Sequence, residues 1–338
     1  MAVTIRDVAK KAGVSVSTVS RVINNKGVIS DETRDHILKI MHELNYFPNF
    51  TARSFANGNT MAIALIIDVA DARAYSNAFF NKSVFGIETA AHLNGYNLII
   101  TSDHMHSDSF SSAEKLVFEK KVDGIILPTS LVKRNFITRL RELNFPFVIL
   151  GEPALFAAET NWADINNVQG GELAATHLAS KGYHRIAFLS TGENEMFNRN
   201  RITGFRRGAD QCGLTVHNGH ISHCVASVAE GYVRTRELLL LDVPPDSVIC
   251  SDYLLAFGAL RAARDSGLRV PQDFGIVSFD DSPVAELAEP SITTVDIDTF
   301  NLGEQAAALL IQAIGKKDGT GRQTLISTRI IERQSTGR

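Results

Sequence analysis

The 338-residue chain has few cysteines and no long hydrophobic segment. Its three cysteines, Cys212, Cys224 and Cys250, are an odd number without CxxC spacing, a pattern typical of a reduced cytosolic protein. The most apolar run, residues 61–70, is too short to cross a bilayer and contains an acidic residue, Asp68. Because the first residues contain no apolar signal region, we expect a cytoplasmic protein that is not exported.

Sequence motifs of common enzyme classes are also missing. The chain has no GxSxG nucleophile elbow, no P-loop and no HExxH zinc motif. Residues 103–108 read Asp-His-Met-His-Ser-Asp and bring His and Asp to metal-like proximity, but no second cluster is spaced to complete a metal site. A polar loop is the favoured interpretation, and we expect no catalytic residue, no metal and no cofactor.

Charge is unevenly distributed, although the whole chain carries a net charge of only −3. Residues 1–60 contain eight Lys and Arg and five Asp and Glu, which gives +3, whereas the remainder carries −6. This contrast is consistent with a small nucleic-acid-binding module attached to an acidic body that does not itself adhere to DNA. With 44% apolar residues, the chain can also bury more than one sizeable core.

The amino-terminal segment has the pattern of a helix-turn-helix. Apolar residues spaced i, i+3, i+4 and i+7 predict a first helix over residues 5–12, which Thr4 and Asp7 can cap together. Gly13 then provides a turn position that tolerates positive φ. Ser15 can cap a second helix. The inward, apolar positions of this second helix are Val19, Val22 and Ile23.

The outward face of the second helix carries short hydroxyl side chains and one arginine. Val16, Ser17, Ser20 and Arg21 lie on two adjacent i, i+4 rows. Hydroxyl groups reach phosphates and base edges without steric penalty, and an arginine can donate two hydrogen bonds to a guanine. A surface helix-turn-helix without any ligand is the alternative, since serines at a helix start are common caps.

A third amphipathic helix is predicted after Ser30, where acidic residues occupy the first turn. Its apolar positions are Ile37, Ile40, Met41 and Leu44, and it is expected to end near Asn45. Three short helices can share one small core, which strengthens the DNA-binding interpretation.

Four segments carry a family resemblance: Thr4-Ile5-Arg6-Asp7-Val8-Ala9, Ala12-Gly13-Val14-Ser15, Thr18-Val19-Ser20-Arg21-Val22 and Asn45-Tyr46-Phe47-Pro48-Asn49. They resemble the opening of lactose-repressor (LacI/GalR) family transcription regulators, and the resemblance continues along nearly the whole chain. It implies binding of double-stranded DNA at a near-palindromic operator. The residues that we assign to this interface are Thr4, Ser15, Val16, Ser17, Thr18, Ser20, Arg21 and Asn24.

The next segment, residues 47–60, predicts a linker that contains one short helix. Eight or nine residues are too few for a helix to be stable alone in water, so a flexible linker is the simplest interpretation. The resemblance instead implies a hinge helix that forms when two copies meet in the DNA minor groove, where the family usually inserts a leucine. Phe55 occupies that position, and an aromatic side chain can also act as a wedge. The hinge residues implied to contact DNA are Asn49, Ala52, Arg53 and Phe55.

Beyond residue 60, short apolar runs alternate with helix-length amphipathic stretches. This alternation predicts an α/β fold in which parallel sheets carry helices on both faces. Similar segments at residues 92–96 and 177–183 form a faint internal repeat, which favours two lobes. The resemblance implies a two-lobed, periplasmic-binding-protein-like type I core of doubly wound parallel sheets. The expected domains are residues 1–46 for the DNA-binding helix-turn-helix, 47–60 for the hinge and 61–338 for an effector-binding and dimerisation core.

The resemblance also implies where the chain passes between the lobes. We expect crossings near residues 151–162 and near Pro290. A last strand pair around residues 324–332 is expected to complete the sheets.

Polar residues follow the predicted strands, where open α/β sheets bind ligands. Carboxylates, amides and a guanidinium beside aromatic rings such as Trp162 suit the binding of a sugar. Asp and Asn at strand-to-helix junctions also cap helices, and for Asn166 both interpretations, capping and ligand contact, stay open. The family pattern favours effector contact for Arg201, in Arg-x-x-Gly-Phe, and for Asp280, in Ser-Phe-Asp-Asp. The candidate effector-binding residues are Asp68, Phe79, Phe80, Asn166, Arg201, Asp252 and Asp280.

These patterns predict a transcriptional regulator, expected to be a repressor, whose operator affinity depends on a small ligand. A neutral sugar is favoured over a phosphorylated sugar or a purine, because Asp68, Asp252 and Asp280 repel an anion that Arg201 alone could attract. The alternatives are a sugar receptor without a DNA role and a nonspecific DNA binder. The presence of residues 1–57 argues against the first, because a sugar receptor does not need them. A predicted cleft argues against the second, because a nonspecific DNA binder does not need one. Since no leucine heptad follows the last strand, we expect homodimers, with no membrane partner.

Overall fold

The computed structural model describes most of the chain, which forms two compact units, Met1–Thr60 and Met61–Arg338. The described residues are 3–23, 27–47, 59–68, 78–103, 111–192, 194–217, 219–316 and 321–338. Within these ranges, no helix is both long enough and apolar enough to cross a membrane.

Helices form the described part of the amino-terminal unit. They are α1 (Ile5–Ala12), α2 (Val16–Ile23) and α3 (Asp31–Glu43). The predicted pairing of Thr4 with Asp7 is confirmed, since the backbone nitrogen and the hydroxyl of Thr4 donate to Asp7 Oδ2 at 2.8 and 2.7 Å. Gly13 follows α1 with a φ of 67°, a left-handed conformation that glycine adopts without steric cost.

Apolar side chains from these helices close a small core. Val8 of α1, Val19 of α2 and Ile37 of α3 are fully buried, and burial of each such side chain contributes ~1.5–3 kcal/mol. Ser30 caps α3 by accepting a hydrogen bond from Thr33 N at 3.3 Å. The predicted three-helix core is confirmed, and its packing fixes which face of α2 points outwards.

The larger unit contains two sheets with matching strand arrangements. Their strands are β1 (Ala62–Asp68), β2 (Asn97–Asp103), β3 (Gly124–Pro128), β4 (Phe147–Leu150), β5 (Trp162–Ile165), β6 (Ile186–Ser190), β7 (Ile221–His223), β8 (Ser247–Cys250), β9 (Gly275–Phe279), β10 (Thr293–Asp296), β11 (Gln323–Ile326) and β12 (Arg329–Ile331). The described strands are ordered β11-β5-β4-β3-β1-β2 in the first sheet and β12-β10-β9-β8-β6-β7 in the second. Strand pairing is parallel except that β12 runs antiparallel to β10.

Helices cover both faces of each sheet, as predicted for doubly wound lobes. They are α4 (Ala78–Leu93), α5 (Ser112–Phe118), α6 (Arg134–Glu142), α7 (Asn167–Ser180), α8 (Met196–Gln211), α9 (Val228–Leu239), α10 (Tyr253–Asp265), α11 (Pro283–Leu287) and α12 (Thr299–Gly315). In the first lobe, α4 packs beside α12 on one face, and α5 and α6 cover the other. In the second lobe, α7 packs beside α8, opposite α9 and α10.

Glycines let both inner helix pairs approach closely. A Cβ on Gly86 of α4 would lie 2.0 Å from the carbonyl oxygen of Phe300 in α12. A Cβ on Gly204 of α8 would lie 1.9 Å from the carbonyl oxygen of Val168 in α7. The two lobes therefore use the same device at corresponding places, and an alanine at either glycine would force the helices apart.

The first predicted crossing between the lobes, at residues 151–162, is wrong. These residues connect β4 to β5 within the first sheet, where Gly151 N donates to the carbonyl oxygen of Ala163 at 2.8 Å. The chain crosses only after Ile165, at the start of α7. The loop has the length and polarity of a linker, and the four-residue strand that follows it is too short to be recognised from its pattern.

The later crossings also differ from the prediction. Pro290 precedes β10, and the chain leaves the second sheet at residues 297–298, before α12 packs on the first. Residues 327–328 form a further crossing, because β11 pairs with β5 whereas β12 pairs with β10. The last two strands complete the sheets as predicted, but β11 joins the first sheet and β12 joins the second.

Candidate functional site

The exposed face of α2 carries side chains predicted to contact DNA. Val16, Ser17 and Arg21 are exposed, while Val19 and Val22 on the opposite face are buried. Since both valines belong to the three-helix core, packing sets the orientation of the exposed row. The face presents two small side chains followed one turn later by a cation, which suits the chemistry of a major groove.

Hydroxyl groups cluster at the start of α2. Ser15 Oγ lies 2.7 Å from Ser17 Oγ and 2.8 Å from Thr18 Oγ1, and it accepts a hydrogen bond from Thr18 N at 3.1 Å. The predicted cap is therefore confirmed. The helix amino terminus adds a partial positive charge beside these hydroxyls, a combination that favours phosphate oxygens.

The other predicted DNA-binding residues have different surroundings. The hydroxyl of Thr4 is engaged with Asp7, and Ser20 is half-buried on α2. The remaining predicted residues, which lie outside the described ranges, are Asn24, Asn49, Ala52, Arg53 and Phe55.

In the larger unit, residues near the carboxyl ends of the parallel strands of the two lobes approach each other, and we call the region between them the cleft. Hydrogen bonds between described residues join the lobes there. Lys82 Nζ, on α4, donates to the carbonyl oxygen of Asp281 at 3.1 Å, and Asn200 Nδ2, on α8, donates to Glu152 Oε2 at 2.6 Å. Three of the predicted ligand residues stand at these strand ends, namely Asp68 as the last residue of β1, Asp252 after β8 and Asp280 after β9.

Arg201 is the buried cation of this cleft, with only 6% of its surface exposed. Its Nε donates to Asn167 Oδ1 at 2.9 Å, and its Nη1 donates to the carbonyl oxygen of Ser251 at 2.8 Å. The guanidinium carbon lies 4.1 Å from the centroid of the Phe279 ring and 5.0 Å from that of Phe197. Stacking and hydrogen bonds therefore fix the guanidinium plane.

Burial shifts the ionisation of the charged groups in the cleft. It lowers the pKa of Arg201 to about 10 against the opposing effect of Asp164, Asp280 and Asp252, so the guanidinium remains charged at neutral pH. It raises the pKa of Asp280, an effect that Lys82 and Arg201 oppose. Burial also raises the pKa of Asp164 to about 6. Among the described residues of the cleft, a buried cation thus lies near carboxylates whose ionisation is costly.

The turn that carries Asp280 is held from several sides. Asp280 itself has a φ of 74°, a left-handed conformation that is uncommon outside glycine and that clusters at functional sites. The carboxylate of Asp281 accepts hydrogen bonds from Arg333 Nη2 and Thr294 Oγ1, both at 2.8 Å. Together with Lys82, these contacts place the Asp280 carboxylate at the end of β9.

Two of the predicted ligand residues cap helices. Asn166 Oδ1 accepts from Gln169 N at 3.1 Å at the start of α7, and Asp252 Oδ1 accepts from Leu254 N at 2.7 Å at the start of α10. The capping interpretation therefore holds for Asn166, and ligand contact by this residue stays a prediction.

The aromatic candidates separate into two places. Phe79 and Phe80 lie in the first turn of α4, half-buried against the core that the inner helices share. Trp162 is not part of the cleft, because it is buried in the outer core of the first lobe and its Nε1 donates to the carbonyl oxygen of Ala157. Of the polar loop after β2, only Asp103 is described, and the described residues include no group of three or more possible metal ligands.

Sequence reasoning missed Lys82, Glu152 and Asn200. Glu152 follows β4 and could have been found by the strand-end rule that identified the other acidic residues. Lys82 and Asn200 lie inside helices, where no local pattern marks a side chain that reaches the opposite lobe.

Comparison with known proteins identifies both units. Residues 4–49 match the model of bacterial regulatory proteins of the lacI family, and residues 175–336 match a periplasmic binding protein-like domain. The HTH-type transcriptional regulator MalR of Streptococcus pneumoniae is 34% identical over 338 residues, which cover 98% of this chain and 100% of MalR. The chain belongs to the lacI family of bacterial regulatory proteins.

Solved structures share this architecture over the full length of the regulator. The lac repressor dimer bound to operator and the anti-inducer ONPF is similar with a TM-score of 0.80 at 25% identity, covering 99% of each chain. The complex of the transcriptional regulator CelR with cellobiose is similar with a TM-score of 0.71 at 28% identity, covering 98% of the regulator and 99% of CelR. The predicted fold is confirmed, and the regulator is a DNA-binding transcription factor rather than an enzyme.

Proposed function

We propose that the regulator represses transcription by binding a near-palindromic operator as a homodimer, and that a neutral sugar in the cleft controls this binding. The observation that carries the proposal is the buried guanidinium of Arg201, stacked on Phe279 among the carboxylates of Asp252 and Asp280. Such a site offers fixed donors, fixed acceptors and an aromatic face, which together match a ring bearing adjacent hydroxyls.

The DNA-binding part of the proposal assigns base reading to α2. Two copies place their α2 helices in successive major grooves, about one helical turn apart. Arg21 reads one base pair in each half-site, while Val16 and Ser17 set the preference at neighbouring positions. The residues assigned to phosphate, sugar and minor-groove contacts are Thr4, Ser15, Thr18, Ser20, Asn24, Asn49, Ala52, Arg53 and Phe55, with Phe55 as the wedge. Residues 1–46 then form the DNA-binding domain, 47–60 the hinge and 61–338 the core.

The effector part assigns complementary hydrogen bonds to the two lobes. Arg201 donates through Nη2, Asp280 and Asp252 accept from hydroxyls, and Asp68, Phe79 and Phe80 line the side of the first lobe. Loss of one partner leaves a buried polar group unpaired, at a cost of ~1–3 kcal/mol. The similarity to CelR, which was solved with cellobiose, supports a sugar.

A phosphorylated sugar or a purine is the second candidate effector. Lys82 favours an anion, because it brings a second cation to the rim of the cleft beside Asp280. Against it stand Asp68, Asp252 and Asp280, because each of these carboxylates repels a phosphate when it is ionised. We therefore favour the neutral sugar.

Exposed apolar side chains on the larger unit support a homodimer. Phe85 on α4 is 63% exposed, Leu287 on α11 is 79% exposed, and Ile100 is exposed on the edge strand β2. Burial of such side chains between two copies would remove apolar surface from water, and the similar lac repressor was solved as a dimer.

A thermal-shift screen of the full-length regulator tests the effector assignment. The panel includes cellobiose, maltose and ribose, their phosphorylated counterparts, and purine bases. A ligand at 100 times its Kd stabilises the folded state by about 2.7 kcal/mol, and we expect only neutral sugars to do so. Stabilisation by phosphorylated sugars or purines alone would contradict the assignment.

A further inference from the structure

Asp164 lies where the chain first crosses between the lobes, and only 7% of its surface is exposed. Its Oδ2 accepts hydrogen bonds from the backbone nitrogen of Glu152 at 3.0 Å and from Asn167 Nδ2 at 3.3 Å. Its Oδ1 accepts from Ile165 N at 2.7 Å. Three donors therefore converge on one buried carboxylate of the first lobe.

Two branches lead from this carboxylate to neighbouring residues of α8 in the second lobe. In one branch, Asn167 Oδ1 accepts from Arg201 Nε at 2.9 Å. In the other, Glu152 Oε2 accepts from Asn200 Nδ2 at 2.6 Å. Because Asn200 and Arg201 are adjacent in sequence, the branches close a ring that spans the cleft. A displacement of one lobe against the other strains both branches together.

We propose that Asp164 is a positioning residue that couples the orientation of Arg201 to the contact between the lobes. The inference rests on the proposed role of Arg201 in effector binding, and Asp164 itself touches no effector. The ionised carboxylate accepts charge-assisted hydrogen bonds from all three donors, and both bonds that belong to the ring end on Oδ2. A neutral carboxyl group is a weaker acceptor, so proton uptake favours opening of the ring and frees the Nε side of Arg201.

Burial and the charged groups that face Asp164 set the pH range in which the ring of hydrogen bonds opens. Arg201 on α8 favours the ionised form, and Glu152 after β4 disfavours it. Burial is the largest effect and raises the pKa of Asp164 to about 6. The ring is consequently closed at pH 7.5, where the carboxylate is ionised, and opens as the pH falls below 6.

Nuclear magnetic resonance of the full-length regulator labelled with ¹⁵N-arginine tests the coupling without effector or operator. The Nε–H signal of Arg201 is assigned by its loss in Arg201→Lys. We expect its shift to titrate with a midpoint near pH 6 in the wild type. In Asp164→Asn the titration should disappear, and exchange with water at pH 7.5 should be ~10-fold faster, as the loss of one hydrogen bond implies. Asp210 is exposed and lies on α8, the helix that carries Arg201, and the control variant Asp210→Asn should behave like the wild type.

Two results would contradict the proposed coupling, one for the titration of Asp164 and one for the Glu152 branch. A wild-type Arg201 signal that does not change between pH 5 and 8 overturns the proposal, and this result needs no variant to fold. Asn200→Ala opens the Glu152 branch and should accelerate Arg201 exchange while leaving the titration in place; an unchanged exchange rate refutes the link between the lobes. Operator binding with and without sugar is measured in parallel. If sugar still changes operator binding while the Arg201 signal does not titrate, the role of Asp164 is wrong and the proposed function stands.

Discussion

The two proposed binding surfaces of the regulator differ in how their side chains are held. On α2, Val16, Ser17 and Arg21 point into solvent, and only the valines on the opposite face connect them to the fold. In the cleft, Arg201 and Asp164 are buried and joined through Asn167. From this difference we expect that the residues proposed to read DNA can change without loss of stability, whereas a change in the cleft alters both folding and the proposed ligand response.

The largest effect is expected from Arg201→Ala, which should abolish the response to effector and also lower the free energy of unfolding. Removal of the guanidinium leaves Asp164, Asp252 and Asp280 without their shared cation, and loss of one partner of a buried charge pair typically costs ~3–5 kcal/mol. Urea unfolding and calorimetry measure the two losses. Arg206→Ala, at an exposed position of the same helix, is the matched control and should change neither. An Arg201→Ala protein with the free energy of unfolding of the wild type would contradict the claim that a change in the cleft also lowers stability.

Asp164 is expected to give the next largest effect, as a dependence of stability on pH. Its raised pKa of about 6, against an ordinary value of 3.8, means that the folded protein holds the proton more tightly than the unfolded chain. The group therefore stabilises the fold at low pH, and this contribution is lost as the pH rises from about 4 through 6. The difference amounts to at most about 3 kcal/mol.

Denaturation curves between pH 4 and 7.5 measure this dependence. Asp164→Asn lacks the titrating group, so its free energy of unfolding should fall less than that of the wild type over this range. Asp210→Asn serves as the control and should parallel the wild type. Parallel curves for Asp164→Asn and the wild type would show that Asp164 does not titrate there.

Arg21→Ala tests the other side of the comparison. We expect a loss of roughly 1–3 kcal/mol of discrimination at one base pair per half-site, because a bidentate contact to a guanine is lost. The free energy of unfolding should stay within about 0.5 kcal/mol of the wild type, since the side chain is exposed. Anisotropy titrations with operator and random DNA provide the measurement. Equal weakening on both DNAs would mean that Arg21 contacts only phosphate.

The smallest expected effect separates helix capping from ligand contact at Asn166. Asn166→Ala should lower the free energy of unfolding by about 1 kcal/mol through loss of the cap on α7. Asn166→Asp keeps an oxygen that can accept from Gln169 N, so it should restore stability. If effector affinity falls in both variants although stability returns in the second, Asn166 also binds the effector through its amide.

The helical unit could be predicted from sequence almost element by element. Its signals are local: the Thr4–Asp7 cap, the turn at Gly13 and the spacing of the apolar residues each involve neighbours within one or two turns. The alternation of strands and helices likewise predicted parallel sheets with helices on both faces, and the family resemblance implied two doubly wound lobes. The points where the chain crosses between them could not be predicted, because they depend on which sheet a short strand such as Trp162–Ile165 joins.

The faint repeat shows the same limit. Residues 92–96 and 177–183 both lead from a helix into a strand, but the strands are β2 and β6, which hold different places in their sheets. In the cleft, strand ends identified Asp280 and a family motif identified Arg201. The network that holds Arg201, through Asn167 and Asp164, joins residues of different elements, and only the folded chain reveals it.

The linkage between the two surfaces is tested most directly by one titration. Operator affinity of the full-length regulator is measured with and without a saturating concentration of the sugar that stabilises it, and sugar affinity is measured with and without operator. We expect operator Kd to change at least ~5-fold and sugar Kd to change by the same factor, because a coupling free energy is reciprocal. A sugar that stabilises the regulator through Arg201 yet leaves operator Kd unchanged would contradict control of DNA binding from the cleft.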